Sequence, residues 1–227
     1  IVQSDVSGST TRRSYAIFVT GGQGPGVTSS LFQTVYDADF STRVANSLFD
    51  MTVGIASGST TVANASTGQT SDGLILFPKN TLMMRQKISN YSQHAQLLLG
   101  DSSYFFTSPF TSGETTASTA GAINHALFID MKRLFKRDRI KRDTLALRLF
   151  MTGASTGYNM GPAKSPNINV SPTSGSSIFV DAGSQSAQEN SYGGPVGNIS
   201  LSTDTSLKAG LVFYDHGIMV LDMDKVF

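Results

Sequence analysis

Helical spacing of apolar residues is clearest between Thr81 and Leu99. In this segment the positions that face one side recur every three or four residues, which is typical of an amphipathic helix. Gly100 follows at the place where a left-handed residue commonly ends a helix. A second segment, Ser41–Asp50, has similar spacing, and Ser41 or Thr42 could cap it. In the segment Thr81–Leu99 the residues at this helical spacing are Leu82, Arg85, Ile88, Tyr91, Ala95, Leu98 and Leu99.

Short runs of β-branched and aromatic residues predict strands elsewhere, mostly in the second half of the chain. At the C-terminal end, Ala209–Tyr214 and Ile218–Asp222 flank Asp215–Gly217, which predicts a hairpin with a three-residue loop and a left-handed Gly217. The other predicted strands are Arg13–Thr20, Ala126–Met131, Leu145–Met151, Ser177–Asp181 and Asn198–Ser202.

Long Ser/Thr/Gly-rich stretches separate these elements, at Gly54–Ser71, Thr107–Gly121 and Thr152–Ser177. Loops of this length are unusual in a compact domain unless they are functional or a partner orders them. The expected fold class is α+β, with short antiparallel strands dominating the C-terminal half and a few helices in the N-terminal half. We expect a mixed region at 1–121 and a β-rich region at 122–227, which could form one continuous domain or part of a longer chain.

The composition favours a polar protein that makes many contacts. Of the 227 residues, 39% are hydrophobic and only 15% are charged, whereas serine and threonine together number 54 and glycine 22. An average soluble domain has about 25% charged residues. No apolar run approaches the roughly 18 residues that a membrane-spanning helix needs. Cysteine is absent, which excludes disulfides, thiolate nucleophiles and cysteine-based zinc sites.

Positive charge is concentrated in one segment, Lys132–Arg142, which we call the basic turn. The window 132–143 holds seven cations and two carboxylates, a net charge of +5, while the remaining ten cations and fourteen carboxylates give −4. Such segregation is typical of an interface. An acidic protein surface is favoured over nucleic acid, and a solvated turn between two strands stays open. The candidate partner-binding residues are Lys132, Arg133, Lys136, Arg137, Arg139, Lys141 and Arg142, with Phe213, Tyr214 and Ile218 of the hairpin.

No motif predicts a catalytic, cofactor or metal site. The glycine-rich run Gly21–Gly26 follows a predicted strand, but a phosphate-binding loop would need a following Lys-Ser or Lys-Thr. His94, His125 and His216 lack metal-ligand spacing, and no nucleophile elbow is present. The carboxylate pairs Asp37/Asp39 and Asp222/Asp224 lack a third partner and are interpreted as caps or turn residues. We therefore expect no enzyme activity, cofactor or small-molecule substrate.

Five segments stand in order along the chain: FQTVYDADFSTRVANSLFDMTVG (Phe32–Gly54), MRQKISNYSQHAQLLLG (Met84–Gly100), HALFIDMKRLFKRDRIKRDTLALRLF (His125–Phe150), YGGPVGNI (Tyr192–Ile199) and GLVFYDHGIMVLD (Gly210–Asp222). Together they resemble large structural proteins of T4-like marine myoviruses and cyanophages. In the third segment the resembled unit is a strand, a basic turn and a strand. The chain departs from it at Arg142-Asp143-Thr144, where the resembled turn has Pro-Gly.

The resemblance implies a virion protein of the baseplate or tail region that acts through contacts with other virion structural proteins. It implies an oligomer or a multi-copy assembly and no catalytic residue. Three alternatives stay open: a head or neck structural protein, a receptor- or carbohydrate-binding tail-fibre or adhesin module, and a cell-wall hydrolase. The tail-fibre or adhesin module would need exposed aromatic residues on one face. The one cluster of aromatic residues in the sequence is Tyr104, Phe105, Phe106 and Phe110.

Overall fold

Strands dominate the computed structural model, which describes residues 15–16, 32–36, 46–57, 68–69, 75–76, 82–110, 121–132, 138–150, 176–183 and 188–226. The glycine-rich run at 21–26 and most of the predicted loops lie outside these residues. In chain order the elements are β1 (Tyr15–Ala16), β2 (Phe32–Tyr36), β3 (Ser47–Ile55), β4 (Gly68–Gln69), β5 (Ile75–Leu76), α1 (Leu82–Leu99), β6 (His125–Met131), β7 (Ala146–Phe150), β8 (Ser176–Val180), β9 (Gln188–Asn190), β10 (Gly194–Leu201), β11 (Asp204–Phe213), β12 (Ile218–Asp222) and α2 (Met223–Val226).

Ten of the strands form one sheet in which every pairing is antiparallel. The strand order is β1–β2–β3–β6–β12–β11–β10–β8–β7, and β9 pairs with β10. Strands β4 and β5 form a separate pair. The expected α+β class is confirmed in its coarser form: the chain is mostly antiparallel strands with two helices among the described residues, and the sheet curls in the C-terminal half.

Helix α1 confirms the strongest prediction made from the hydrophobic pattern. It begins at Leu82 and ends at Leu99, and Gly100 has the expected positive φ of 85°. The side chains of Tyr91, Ala95 and Leu98 are buried against one face of the sheet. The helix therefore forms because one stripe of its side chains covers the sheet, since tertiary packing supplies most of the stability of such helices.

The helix predicted for Ser41–Asp50 is wrong where the structure describes it, because Ser47–Asp50 belongs to strand β3. Residues 41–45 lie outside the described part. Strand β3 pairs with β2 on one side and with β6 on the other, so it is an interior strand of the sheet. Leu48 and Phe49 are adjacent and both buried. A strand buried on both faces loses the alternation that would distinguish it from a helix.

Two hydrophobic clusters lie on opposite faces of the sheet. On one face, α1 and the segment around Phe106 and Phe110 cover the strands. On the other face, Leu147 of β7 and Phe179 of β8 pack in the same cluster as Leu127 of β6. Because distant strands in the sheet order share this cluster, the sheet curls around it and buries its inner face.

The C-terminal hairpin is confirmed, but its loop is one residue longer than predicted. Phe213 pairs with Ile218, which leaves the four residues 214–217 in the loop. Gly217 has a φ of 70° and its N–H donates to the Phe213 carbonyl at 2.8 Å. The Tyr214 N–H donates to the carbonyl of Pro195 in β10 at 3.1 Å, next to the pairing of Val196 with Phe213.

The four remaining predicted strands of the second half are present with shifts of a few residues, as β6, β7, β8 and β10. Of Arg13–Thr20, the structure describes only Tyr15–Ala16, which is strand β1. The sheet crosses the boundary expected near residue 121, because β3 pairs with β6 over seven residues, from Phe49↔Met131 to Ile55↔His125.

Candidate partner-binding surface

The basic turn leaves strand β6 and returns into strand β7. Four of its seven cations are described, and Arg133, Lys136 and Arg137 lie in the undescribed stretch 133–137. At its first end, Lys132 forms an ion pair with Asp50, whose carboxylate also accepts a 2.7 Å hydrogen bond from the Thr34 hydroxyl. Lys132 therefore fixes the start of the turn to the sheet and is only partly exposed.

The far end of the turn is fixed by a buried carboxylate, Asp181, which directly follows β8. Its side chain accepts the backbone N–H of Asp143 at 2.8 Å and that of Leu145 at 2.9 Å. It also accepts the Tyr214 hydroxyl at 3.1 Å. We call Asp181, Tyr214 and the N–H groups of Asp143 and Leu145 the Asp181 cluster. Buried carboxylates require such donors because an unpaired buried charge is very costly.

Burial is the largest influence on the Asp181 carboxyl and raises its pKa above the ordinary value, although the three hydrogen bonds oppose this shift. The side chain is 1% exposed, so water cannot replace a lost donor. Tyr214 contributes a further bond through its backbone, since its carbonyl accepts the Ile140 N–H at 3.0 Å. The Asp181 cluster thus joins the turn, β8 and the hairpin loop.

Two of the four described cations, Arg139 and Lys141, are exposed. Arg142 already has contacts within the chain, because its guanidinium lies 5.8 Å from the centroid of the Tyr214 ring and 3.4 Å from the Glu189 carboxylate. An Arg at this distance from an aromatic face gains a cation–π attraction. Arg139 and Lys141 are therefore the described cations that the turn presents most openly.

Asp143 has a φ of 58°, a left-handed conformation that side chains with a Cβ adopt at a cost. We expect Asp143→Gly to be more stable than Asp143→Ala by about 1 kcal/mol. Both variants lose the same carboxylate and keep the N–H that donates to Asp181, so urea unfolding of the pair isolates the backbone effect. Equal stabilities would show that the left-handed conformation is not required.

The three hairpin residues predicted to contact a partner lie in the interior. Phe213 and Tyr214 are 0% exposed and Ile218 is 5% exposed. Phe213 meets Phe106 edge-on, with ring centroids 6.0 Å apart. The prediction assumed that one face of the hairpin is exposed. In the structure α1 covers one face of the sheet, and the curling of the sheet buries the other. These side chains are therefore out of a partner's reach unless the core opens.

The aromatic cluster that a carbohydrate-binding module would have to expose is also part of the core. Phe106 and Phe110 are buried, and Tyr104 and Phe105 are partly buried against the same cluster. The Tyr91 hydroxyl accepts the Phe106 N–H at 3.1 Å and donates to the Ile123 carbonyl at 2.8 Å. These rings therefore stabilise the contact between α1 and the sheet and do not form an exposed stacking platform.

Two of the three histidines have packing or turn roles. His94 stacks on Phe128 with ring centroids 3.9 Å apart, and its Nδ1 lies 2.7 Å from the Asn90 carbonyl oxygen. Burial is the largest influence on His94 and lowers its pKa. The Nε2 of His216 lies 3.4 Å from the Tyr192 carbonyl oxygen.

His125 belongs to a partly buried polar group, and the sequence did not indicate its contact with Asp224. Its Nδ1 lies 2.8 Å from both carboxylate oxygens of Asp224 in α2. Asp222 is 4% exposed and accepts the Asp224 N–H at 3.1 Å, which caps α2. Lys225 lies 3.5 Å from Asp222 and donates to the Ser108 carbonyl at 3.3 Å. This group fixes the short C-terminal helix against β6 and the 108 segment.

Asp222 makes stability depend on pH. Burial, more than the nearby Asp224 charge, raises its pKa from 3.8 to about 6. Because the folded-state pKa is raised, the stabilising contribution of the protonated Asp222 carboxyl is complete below about pH 4 and is lost as the pH rises through 6. We expect Asp222→Asn to remove about 2–3 kcal/mol of the change in the free energy of unfolding with pH. Urea unfolding of both proteins at pH 4.5 and 7.5 measures this, with Asp204→Asn at the exposed first residue of β11 as the control. An unchanged pH dependence would contradict the prediction.

Among the described residues, no three His, Asp, Glu or Cys side chains lie close enough together to hold a metal ion. None of the helices in the described part is both long enough and apolar enough to cross a membrane. At the described end of the basic turn, Arg139 and Lys141 are exposed and the Asp181 cluster holds the backbone that follows them, at Asp143 and Leu145.

Comparison with known proteins identifies no relative: no protein-family model, no curated protein and no solved structure matches the chain.

Proposed function

We propose that the chain is a structural component of a tailed bacteriophage particle, in the baseplate or tail region, and that it acts through protein–protein contacts. Its partners would be other virion structural proteins, and it would be present in several copies. Two features support the proposal. Five segments in order resemble structural proteins of contractile-tailed phages, and the positive charge is concentrated in one turn at the surface.

The single observation that favours contact-based function is the hydrogen-bonded backbone that follows the described end of the basic turn. The Asp181 cluster holds the backbone at Asp143 and Leu145, while Arg139 and Lys141 remain exposed. A surface that is ordered before binding loses less conformational entropy in the complex. Charged side chains arranged in this way attract a surface of opposite sign and fix its register.

An acidic protein surface fits this turn better than nucleic acid. Phosphate binding is strengthened by overall positive charge, whereas outside the 132–143 window the chain has a net charge of −4. Acidic residues also lie beside the cations, at Asp138 and Asp143. A partner must therefore place its carboxylates at defined positions, which a protein surface does more readily than a uniform phosphate backbone.

Incorporation of the chain into particles tests the proposal. We expect the double variant Arg139→Glu/Lys141→Glu to enter assembled phage particles about tenfold less than the unchanged chain, because each reversed charge meets like charge on the partner. Quantitative mass spectrometry of purified particles measures the copy number.

The matched control is Arg85→Glu, which reverses an exposed charge on α1 without touching the basic turn. It should enter particles normally, and circular dichroism should show that all three proteins are folded. Normal incorporation of the double variant, or absence of the unchanged chain from the particles, would contradict the proposal.

A further inference from the structure

Two of the three large apolar or aromatic side chains that are exposed among the described residues lie at one place, the C-terminal end of α1. Leu97 is 50% exposed and Tyr192 is 57% exposed. A Cβ added to Gly100 would lie 2.3 Å from Cε2 of Tyr192, so the ring packs directly on this glycine. Leu97 precedes Gly100 by three residues, and residues at this spacing are neighbours on a helix surface. We call Leu97 and Tyr192 the Tyr192 patch.

The main chain at Tyr192 is fixed before any partner binds. The side-chain oxygen of Asn190 accepts the N–H groups of Tyr192 and Gly193, each at 2.8 Å. The Nε2 atom of His216 lies 3.4 Å from the Tyr192 carbonyl oxygen. An exposed tyrosine on a fixed backbone is a suitable anchor for a partner, because less conformational entropy is lost on binding.

Carboxylates flank the Tyr192 patch on two sides. Asp101 directly follows Gly100, on which the ring packs. Asp215 directly precedes His216, and its carboxylate lies beside Gly194, where an added Cβ would be 3.0 Å from Oδ2. Asp215 is exposed and Asp101 is partly exposed. The carboxylates therefore border the patch on the side of α1 and on the side of the hairpin loop.

The surroundings of the Tyr192 patch favour a cation. The Ser103 N–H and hydroxyl donate to Asp101 at 2.8 and 2.7 Å, and both hydrogen bonds lower the pKa of this carboxyl. Helix α1 ends here with no basic residue in its last turn, so its own side chains do not neutralise the negative end of its dipole. Arg142 belongs to the same end of the sheet, but its guanidinium already contacts the Tyr214 ring and the Glu189 carboxylate.

We propose that the Tyr192 patch is a second contact surface and binds an arginine of another protein, whose charge Asp101 and Asp215 balance. Arginine suits this surface because its planar guanidinium packs on aromatic rings and bonds to carboxylates. Leu97 would cover the methylene groups of the same side chain. The inference rests on the proposed function for the class of partner, another protein of the particle, but the patch shares no residue with the basic turn.

A second copy of the chain bound through the same patch is disfavoured. A two-fold axis at Tyr192 would bring the two patches together, and with them Asp101 and Asp215 of both copies. Like charges placed together in this way repel each other. Nucleic acid is disfavoured for the same reason, since its phosphates would meet the two carboxylates. A cationic protein segment is therefore the occupant that the charges select.

The test uses a short fluorescent peptide with two arginines and a leucine in a glycine–serine background, titrated into the full chain and followed by anisotropy. We expect binding that weakens about tenfold in Asp101→Asn/Asp215→Asn. We expect a loss of about fivefold in Tyr192→Leu, which keeps an apolar side chain on Gly100 but lacks the aromatic ring. A peptide with citrulline in place of arginine keeps the shape without the charge and should not bind.

Matched controls exist for both kinds of variant. Asp204→Asn controls for the carboxylates, because Asp204 accepts the N–H and the hydroxyl of Ser206 as Asp101 accepts those of Ser103. Ile178→Ala controls for the loss of an exposed apolar side chain. Both controls should bind the peptide as the unchanged chain does, and circular dichroism should show that every variant is folded. If Tyr192→Leu does not fold, the carboxylate variant decides the test.

Three results would overturn the inference: no binding of the arginine peptide, equal binding of the citrulline peptide, or unchanged affinity in Asp101→Asn/Asp215→Asn. Self-association of the unchanged chain in sedimentation, abolished by Tyr192→Leu, would also overturn it, since the occupant would then be a second copy. These results leave the basic turn untouched. Its proposed role fails separately, if the charge-reversed variant of Arg139 and Lys141 enters particles normally.

Discussion

Asp181→Ala is expected to lower the free energy of unfolding by about 4 kcal/mol, because one carboxylate in the interior satisfies several donors at once. The carboxylate is 1% exposed and accepts hydrogen bonds from Asp143, Leu145 and Tyr214. Removing it leaves these donors buried or partly buried without an acceptor, and each such loss costs about 1–3 kcal/mol. Urea unfolding followed by circular dichroism measures the change.

Two further variants show whether the loss comes from the whole cluster. Tyr214→Phe removes one donor and should cost about 1 kcal/mol. Asp181→Asn keeps one acceptor oxygen and should fall between the two. Hydrogen exchange at the Asp143 and Leu145 amides should accelerate in Asp181→Ala, since their acceptor is gone. An alanine variant as stable as Tyr214→Phe would show that the Asp181 cluster does not hold the turn.

Gly54→Ala is expected to destabilise the chain by about 3 kcal/mol, because α1 crosses β3 directly above this glycine. A Cβ at residue 54 would lie 2.6 Å from Cε2 of Phe128 and 3.0 Å from Cα of Tyr91. The opposite residue in the sheet, Ala126, is also small. The helix backbone therefore has no room to accept a methyl group without moving away from the sheet. Thermal unfolding provides the measurement.

A double-mutant cycle with Phe128→Leu tests the cause. The smaller side chain removes the closest of the predicted collisions, so the double variant should lose less stability than the sum of the two single variants. The coupling should be about 1 kcal/mol, as found for residues in direct contact. Additive losses would mean that Gly54 is needed for a reason other than the approach of Phe128.

The elements with a clear local signal could be predicted from the sequence. Helix α1 has apolar residues at helical spacing and is followed by Gly100, and the terminal hairpin has two apolar runs around a turn containing Gly217. Strand β3 had no such signal. Its residues pack on both faces, so their spacing resembles a helix, and the pairing with β2 and β6 that decides the outcome comes from residues far away in the chain.

The exposure of the candidate partner-binding residues was predictable in part for a similar reason. The concentration of charge in the basic turn is visible in the sequence, and Arg139 and Lys141 are exposed as an interface requires. The burial of Phe213 and Ile218 depends on α1 and the Phe106 segment, which lie more than a hundred residues earlier in the chain. Hydrophobicity alone does not tell whether a strand's second face is covered.

The Asp181 cluster gave no sequence signal, and neither did the contact between His125 and Asp224, because their members are separated in the chain. Asp181 binds groups about 38 residues before it and 33 residues after it. His125 meets Asp224 across 99 residues. A lone aspartate beside a strand is most often a cap or a solvated turn residue, and only the fold shows that these are buried.

Zero-length cross-linking of intact particles tests the central claim most directly. A carbodiimide joins a lysine amine to a carboxylate that it touches, and the joined peptides are then identified by mass spectrometry. If the basic turn binds an acidic partner, Lys141 will be joined to an aspartate or glutamate of another virion protein, and high salt before cross-linking will reduce the product. Cross-links from Lys141 only to carboxylates of its own chain, with particles intact, would contradict the account.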